Sequence, residues 1–397
     1  MKKVIYFSLC LILGLIASQA LPFYLNQSSY KPIVDTLLYV CLSFIMINVG
    51  REFKIDKTKV SSYTADYFIA MATAALPWIF TCVYFMILLP SEYLTNWDAW
   101  KENLLLSRFA APTSAGILFT MLAAAGLKQQ WIYKKIQVLA IFDDLDTILL
   151  MIPLQVMMVG FKWQLFVIVF VVTLLLWIGW KYMGRLNIGQ TWKHILAYGA
   201  VIYGITAVVY SVTKHFFGVD EGIHIEVLLP AFIFGMIMKE HHIVSNEEIR
   251  VHNLVSYFFM FLVGSSMPLF IGAITPEGTS IISKALPNMS WGAIILNVIL
   301  VTALSNVGKM VPVLFYRDRA FKERLALSIG MFTRGEVGAA IIFLALGYNL
   351  GGPLLIISTL TIALNLILTG FFIMLSRSLA LSVYGKQEIS KGEDIIM

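Results

Sequence analysis

The sequence predicts an all-α polytopic membrane protein of about 12 transmembrane helices. Three observations predict it. Hydrophobic residues make up 59% of the chain and charged residues only 13%, with mean hydropathy +0.82; an ordinary globular domain carries about 25% charged residues. Apolar runs of the roughly 20 residues that a bilayer requires recur along the whole length. Basic residues collect in every second connection. Together these exclude a cytosolic enzyme, a nucleic-acid binder and a disordered scaffold.

In chain order the runs cover 4–21, 33–50, 67–89, 104–127, 136–159, 163–180, 195–212, 223–238, 254–274, 289–315, 325–346 and 354–375. The first imitates a secretory signal, with Lys2 and Lys3 ahead of an apolar stretch and small residues at Ala17–Ala20. Helix parity argues against cleavage. With the N-terminus inside, 21 of the 29 basic residues fall in cytoplasmic segments and 5 in outer loops. Cytoplasmic loops carry such an excess, so both termini are expected in the cytoplasm of a cell whose inner (plasma) membrane holds the protein. The net charge of +6 is then topology rather than a patch for an acidic partner. Short connections leave one transmembrane domain at 1–376 and a polar cytoplasmic tail at 377–397. Cys10, Cys41 and Cys82 lie in separate apolar runs and form neither a disulfide framework nor a metal spacing. His241, His242 and His252, between runs 8 and 9, and His224, by the outer face, read as solvated loop residues rather than a pH sensor.

The remaining three basic residues, Arg108, Lys309 and Arg334, sit at membrane depth. So do four acids: Asp143, Asp144 and Asp146 in run 5 and Glu336 in run 11. A charge at a helix centre costs about 2.5–3.5 kcal/mol. Several left unpaired would exceed the net stability of an ordinary domain, about 5–15 kcal/mol. They must pair, protonate or face water. The set is short of positive charge, so the missing partner should be a cation or protons. Depth agrees. Asp143 lies eight residues beyond Lys135, and Lys309 eight residues before Arg317. At 1.5 Å per residue both sit about 12 Å below the same face. Asp143 and Asp144 point about 100° apart, so one can hold Lys309 while the other faces a water-filled cavity. Asp146 shares roughly the face of Asp143.

Two runs carry helix-breaking sequences. Run 4 contains Ala-Pro-Thr-Ser-Ala-Gly at 111–116, and run 11 contains Thr-Arg-Gly-Glu-Val-Gly at 333–338. Pro112 removes an amide donor, and Gly335 and Gly338 weaken the second helix. Runs 4 and 11 are seven apart and therefore antiparallel, which makes runs 3–5 and 10–12 candidate inverted repeats. Paired interruptions in inverted halves point to a transporter's midplane site. Arg334 and Glu336 are placed to neutralise the half-helix ends.

These features, in this order along nearly the whole chain, resemble the cation:proton antiporter superfamily, in its paired-aspartate branch. The carrying residues are Ala-Pro-Thr-Ser-Ala-Gly-Ile in run 4, Phe-Asp-Asp at 142–144, Lys309, Thr-Arg-Gly-Glu-Val-Gly in run 11, and the Gly-Arg-Glu-Phe step at 50–53. The resemblance implies the NhaA-like antiporter fold, with two crossed discontinuous helices, and exchange of protons for Na+ or Li+. It implies that Asp144 binds the ion and protons, that Asp143 pairs with Lys309, and that Thr113 and Ser114 offer oxygen ligands. It extends to a homodimer and calls for no cofactor. The chain departs from the pattern in two places: it has hydroxyls, not an aspartate, in the run 4 break, and it has a third acid, Asp146. Potassium/proton exchange by the same architecture stays open. An intramembrane aspartyl protease needs one aspartate on each of two helices, and run 5 holds every mid-membrane aspartate.

Overall fold

A computed structural model of the chain describes residues 2–24, 27–52, 60–159, 164–217, 227–239, 246–267, 280–286, 289–348 and 350–384. Among them the regular structure is helical, apart from one isolated bridge between Leu186 and Met238. Runs 1 to 3 are α1 (Lys2–Tyr24), α2 (Gln27–Glu52) and α3 (Val60–Leu88). Run 4 divides into α4 (Trp97–Ser107) and α5 (Ala115–Ala124). Runs 5 to 9 are α6 (Trp131–Val159), α7 (Gln164–Tyr182), α8 (Trp192–Phe217), α9 (Leu228–Ile237) and α10 (Asn246–Ser265). A short α11 (Ile281–Ala285) precedes run 10, which is α12 (Trp291–Gly308) and a single turn, α13 (Val311–Leu314). Run 11 divides into α14 (Phe321–Gly330) and α15 (Glu336–Gly347), and run 12 is α16 (Gly352–Tyr384). Among the described residues, seven helical stretches are long and apolar enough to cross a membrane, and shorter apolar helices lie in α7, α9 and α15.

Helix α1 packs along α10, and α2 along α9. Glycines set both approaches. A Cβ on Gly14 or Gly264 would collide with the backbone of the facing helix, and the same holds for Gly50 and Gly235. Helix α3 packs on α6 and on α12, and α16 packs on α12 and α14. A shift of seven runs carries one half of this pattern onto the other: α2 with α9 becomes α10 with α1, and α3 with α6 becomes α12 with α16. Buried Phe44, Phe109, Phe119 and Phe259 fill the centre, while Val201, Ile205 and Val208 of α8 face outward.

Three expectations change in detail. Run 10 is not continuous, because α12 stops at Gly308 and Lys309 stands in a joint before α13. The helix of run 12 continues past 376 to Tyr384 because its end is tied down: Ser376 Oγ donates to Ala326 O at 2.8 Å, Arg377 Nε to Ala125 O at 2.7 Å, and Tyr384 OH to Glu323 Oε1. His252 lies inside α10, its ring 6.1 Å from that of Phe44. The tail at 385–397, His224, His241, His242 and the 53–59 connection lie outside the described residues.

Candidate functional site

The site is built where two helices stop. Helix α4 is capped by Asn96, whose Oδ1 accepts from Asp98 N at 2.9 Å and Ala99 N at 3.3 Å. It ends at Ser107, and a 3-10 turn over Arg108–Ala110 runs into Pro112. Proline lacks the amide and disfavours helical backbone in the residue before it. Ser114 then restarts the chain as α5, its Oγ accepting from Ile117 N at 3.4 Å. In run 11 the chain leaves α14 at Gly330 and resumes at Glu336. The two interruptions touch. Ser114 N donates to Thr333 O at 3.1 Å, and Thr113 Oγ1 donates to Met331 O at 3.2 Å.

Helix α6 brings its aspartates to this junction. Asp143 Oδ2 accepts from Lys309 Nζ at 2.9 Å and from the backbone N of Thr113 at 2.8 Å. Neither Asp143 nor Lys309 has exposed surface. Asp143 Oδ1 makes no hydrogen bond among the described residues. Asp144, one residue on, is buried too, with 7% exposure against none for Asp143, and both of its carboxylate oxygens lie inside the protein. One carboxylate therefore ties the run 4 break to the run 10 joint, and the next stands beside it.

The arginines serve the broken ends. Arg334 Nη1 donates to Met331 O at 3.3 Å and Phe332 O at 3.2 Å, and its Nη2 to Ser305 O at 3.4 Å. Those first two carbonyls are at the C-terminal end of α14, where a cation offsets the helix dipole. Arg108 occupies the corresponding place after α4. It is fully buried, its guanidinium lies 4.8 Å from the Trp78 ring centroid, and Nη2 donates to the backbone O of Asp146 at 3.2 Å. The carboxylate of Asp146 is buried beside Tyr67. Glu336 is the first residue of α15, and its side chain lies outside the described residues.

Thr113 and Ser114 thus stand at the junction, but their hydroxyls also serve the backbone: Thr113 bridges to Met331 and Ser114 caps α5. Sequence reasoning passed over three participants. The Thr113 amide is invisible in an inventory of side chains. Arg108 reads in the sequence only as a charge at membrane depth, although a cation just past a helix end is itself a signal. Thr333 is buried, and its Oγ1 makes no hydrogen bond among the described residues.

Residues 2–377 match the family described as sodium/hydrogen exchanger, transmembrane. Among curated proteins none matches in sequence. Two solved structures are similar in fold. One is the sodium proton antiporter MjNhaP1 from Methanocaldococcus jannaschii at pH 8, with TM-score 0.56 and 13% identity, covering 96% of this chain and 92% of that one. The other is an electron-microscopy map of MjNhaP1, with TM-score 0.57 and 15% identity, covering 95% and 91%.

Proposed function

The chain belongs to the sodium/hydrogen exchanger family, a family of transporters rather than enzymes, and we propose that it exchanges protons for Na+ or Li+ at the junction of its two broken helices. The observation that carries this reading is the buried Asp143–Lys309 pair with Asp144 beside it. A buried carboxylate loses its exposed charge by taking either a proton or a metal ion. Asp144 is the group for which the two compete. Oxygen ligands suit a hard cation; Asp143 Oδ1 and the hydroxyls of Thr113, Ser114 and Thr333 stand nearby to supply them. Rocking of the core that holds both broken helices presents the site to each side in turn, and competition at one site then becomes exchange. Lys309, held charged by Asp143, is a second group that releases a proton when the ion disturbs the pair. Two protons then move against one monovalent cation, and the cycle is electrogenic. The basic-residue asymmetry supports twelve spans with both termini in the cytoplasm, in the inner membrane.

The test is proteoliposomes that enclose a pH dye, challenged with Na+, Li+ or K+ at a clamped potential. The expected outcome is a luminal pH change with Na+ and Li+ and a much smaller one with K+. An equal or larger response to K+ moves the assignment to potassium/proton exchange, and no response to any of the three overturns the reading.

A further inference from the structure

Lys309 is not held by a continuous helix. It caps α12, and its own N–H bonds to Asn306 O at 3.1 Å; Met310 follows, and α13 restarts at Val311. The direction in which Lys309 points therefore depends on what anchors α13. Two contacts hold its far end. Arg324 Nη1 donates to Val313 O at 2.8 Å and Phe315 O at 3.4 Å. Beyond them, Tyr316 OH donates to Asp66 Oδ1 at 2.7 Å.

Asp66 is buried on α3, and its carboxylate also takes Lys135 Nζ of α6 at 2.8 and 3.1 Å. The Lys135 ammonium lies 5.1 Å from the Tyr316 ring centroid, and the Trp131 ring meets Tyr316 edge-on at 5.7 Å. Tyr316 is also the one non-glycine residue with positive φ, 44°, among the described residues. L-residues other than Asn and Asp rarely adopt that conformation, and it persists where the surroundings over-determine it. Burial, and then Asp66, push the Tyr316 hydroxyl well above its ordinary range, so it stays a donor.

We infer that Asp66 and Tyr316 form a strut that positions Lys309 against Asp143. Lys135 stands eight residues before Asp143 on α6, and Tyr316 seven residues after Lys309. The segment from α12 to α13 is thus tied to α6 at two levels, directly through Asp143–Lys309 and, about two helical turns away, through Lys135–Asp66–Tyr316. The strut sets the geometry of the pair without touching the ion. Its consequence for transport rests on the antiport reading; its structural part does not.

The test is a double-mutant cycle on thermal unfolding of the purified full chain in detergent. Tyr316→Phe removes one hydroxyl and keeps the ring. It should lower Tm by several degrees in the wild-type background and by less than half as much with Lys309→Ala, because the pair it positions is then gone. Asp143→Asn breaks the same pair and serves as a second background. Mutations this far apart normally add, so equal losses in both backgrounds overturn the strut. In vesicles Tyr316→Phe should lower the Na+ concentration for half-maximal exchange at least threefold, since a displaced Lys309 competes less well with the cation for Asp143. A change in rate alone, with half-saturation fixed, marks a merely structural role and overturns the proposal. Wild-type vesicles that show no exchange would sink the antiport reading while the unfolding cycle still decides the strut.

Discussion

Asp143 Oδ2 receives two donors with no exposed surface around it, and this makes the residue-scale prediction sharp. Lys309→Ala leaves a buried carboxylate without its counter-charge, at a cost of about 3–5 kcal/mol. Asp143→Asn keeps an acceptor for the Thr113 amide but strands the ammonium, and should cost about as much. Both variants should melt lower than wild type in detergent, and the double mutant should lose clearly less than the sum of the two. Additive losses would contradict the 2.9 Å contact. The pairing of residues 166 apart was legible because helical rise puts both at one depth. The second donor was not, because an amide freed by a helix break belongs to the backbone and carries no residue signature. Asp146 was legible as an acid on the face of Asp143; that Arg108 meets its backbone carbonyl rather than capturing its carboxylate depends on side-chain packing over Trp78.

At the scale of elements, the junction is an arrangement of helix ends. Helices α5 and α15 begin there and α4 and α14 end there, so amide and carbonyl dipoles converge on the same few ångströms. Asp143 answers the Thr113 amide ahead of α5, and Arg334 answers the carbonyls of α14. The breaks in runs 4 and 11 were readable from Pro112 and Gly335 to within a few residues. The joint at Lys309 was not: Pro312 marks it, but an apolar run shows no gap where only two residues leave the helix. The joint also depends on Gly308. A Cβ there would stand 2.5 Å from Pro77 N and 2.8 Å from Pro77 Cα on α3. Gly308→Ala must therefore push α12 off α3 next to the lysine. The expected loss is about 1–3 kcal/mol of stability, the usual range for overpacking, together with a lower exchange rate. Differential scanning fluorimetry and vesicle exchange on the same preparation check both. Unchanged melting would mean that α3 and α12 do not approach this closely.

Across the whole molecule, the pairing of helices repeats after a shift of seven runs. It does so in the outer pairs built on Gly14 with Gly264 and Gly50 with Gly235, and in the pairs of α6 with α3 and α16 with α12. That repetition was legible only through the two breaks; the glycine pairs sit in uninterrupted apolar helices, where nothing in composition marks a close approach. Two protons for one cation implies one net charge moved per cycle, worth about 2.3 kcal/mol per 100 mV. A negative interior should therefore favour proton entry and cation exit. With the potential set by valinomycin and a K+ gradient across proteoliposomes, both the rate and the end point of Na+-driven exchange should follow the potential. Indifference to it would reduce the cycle to one-for-one exchange.

The most direct measurement of the central claim is luminal pH after a Na+ jump, with wild type and Asp144→Asn reconstituted side by side. The substitution keeps the shape of the side chain and removes the charge for which, in the proposed cycle, proton and cation compete. The wild type should acidify or alkalinise the lumen as the gradient dictates, and Asp144→Asn, equally folded by melting temperature, should show no Na+-driven change. Normal exchange by Asp144→Asn would contradict the account.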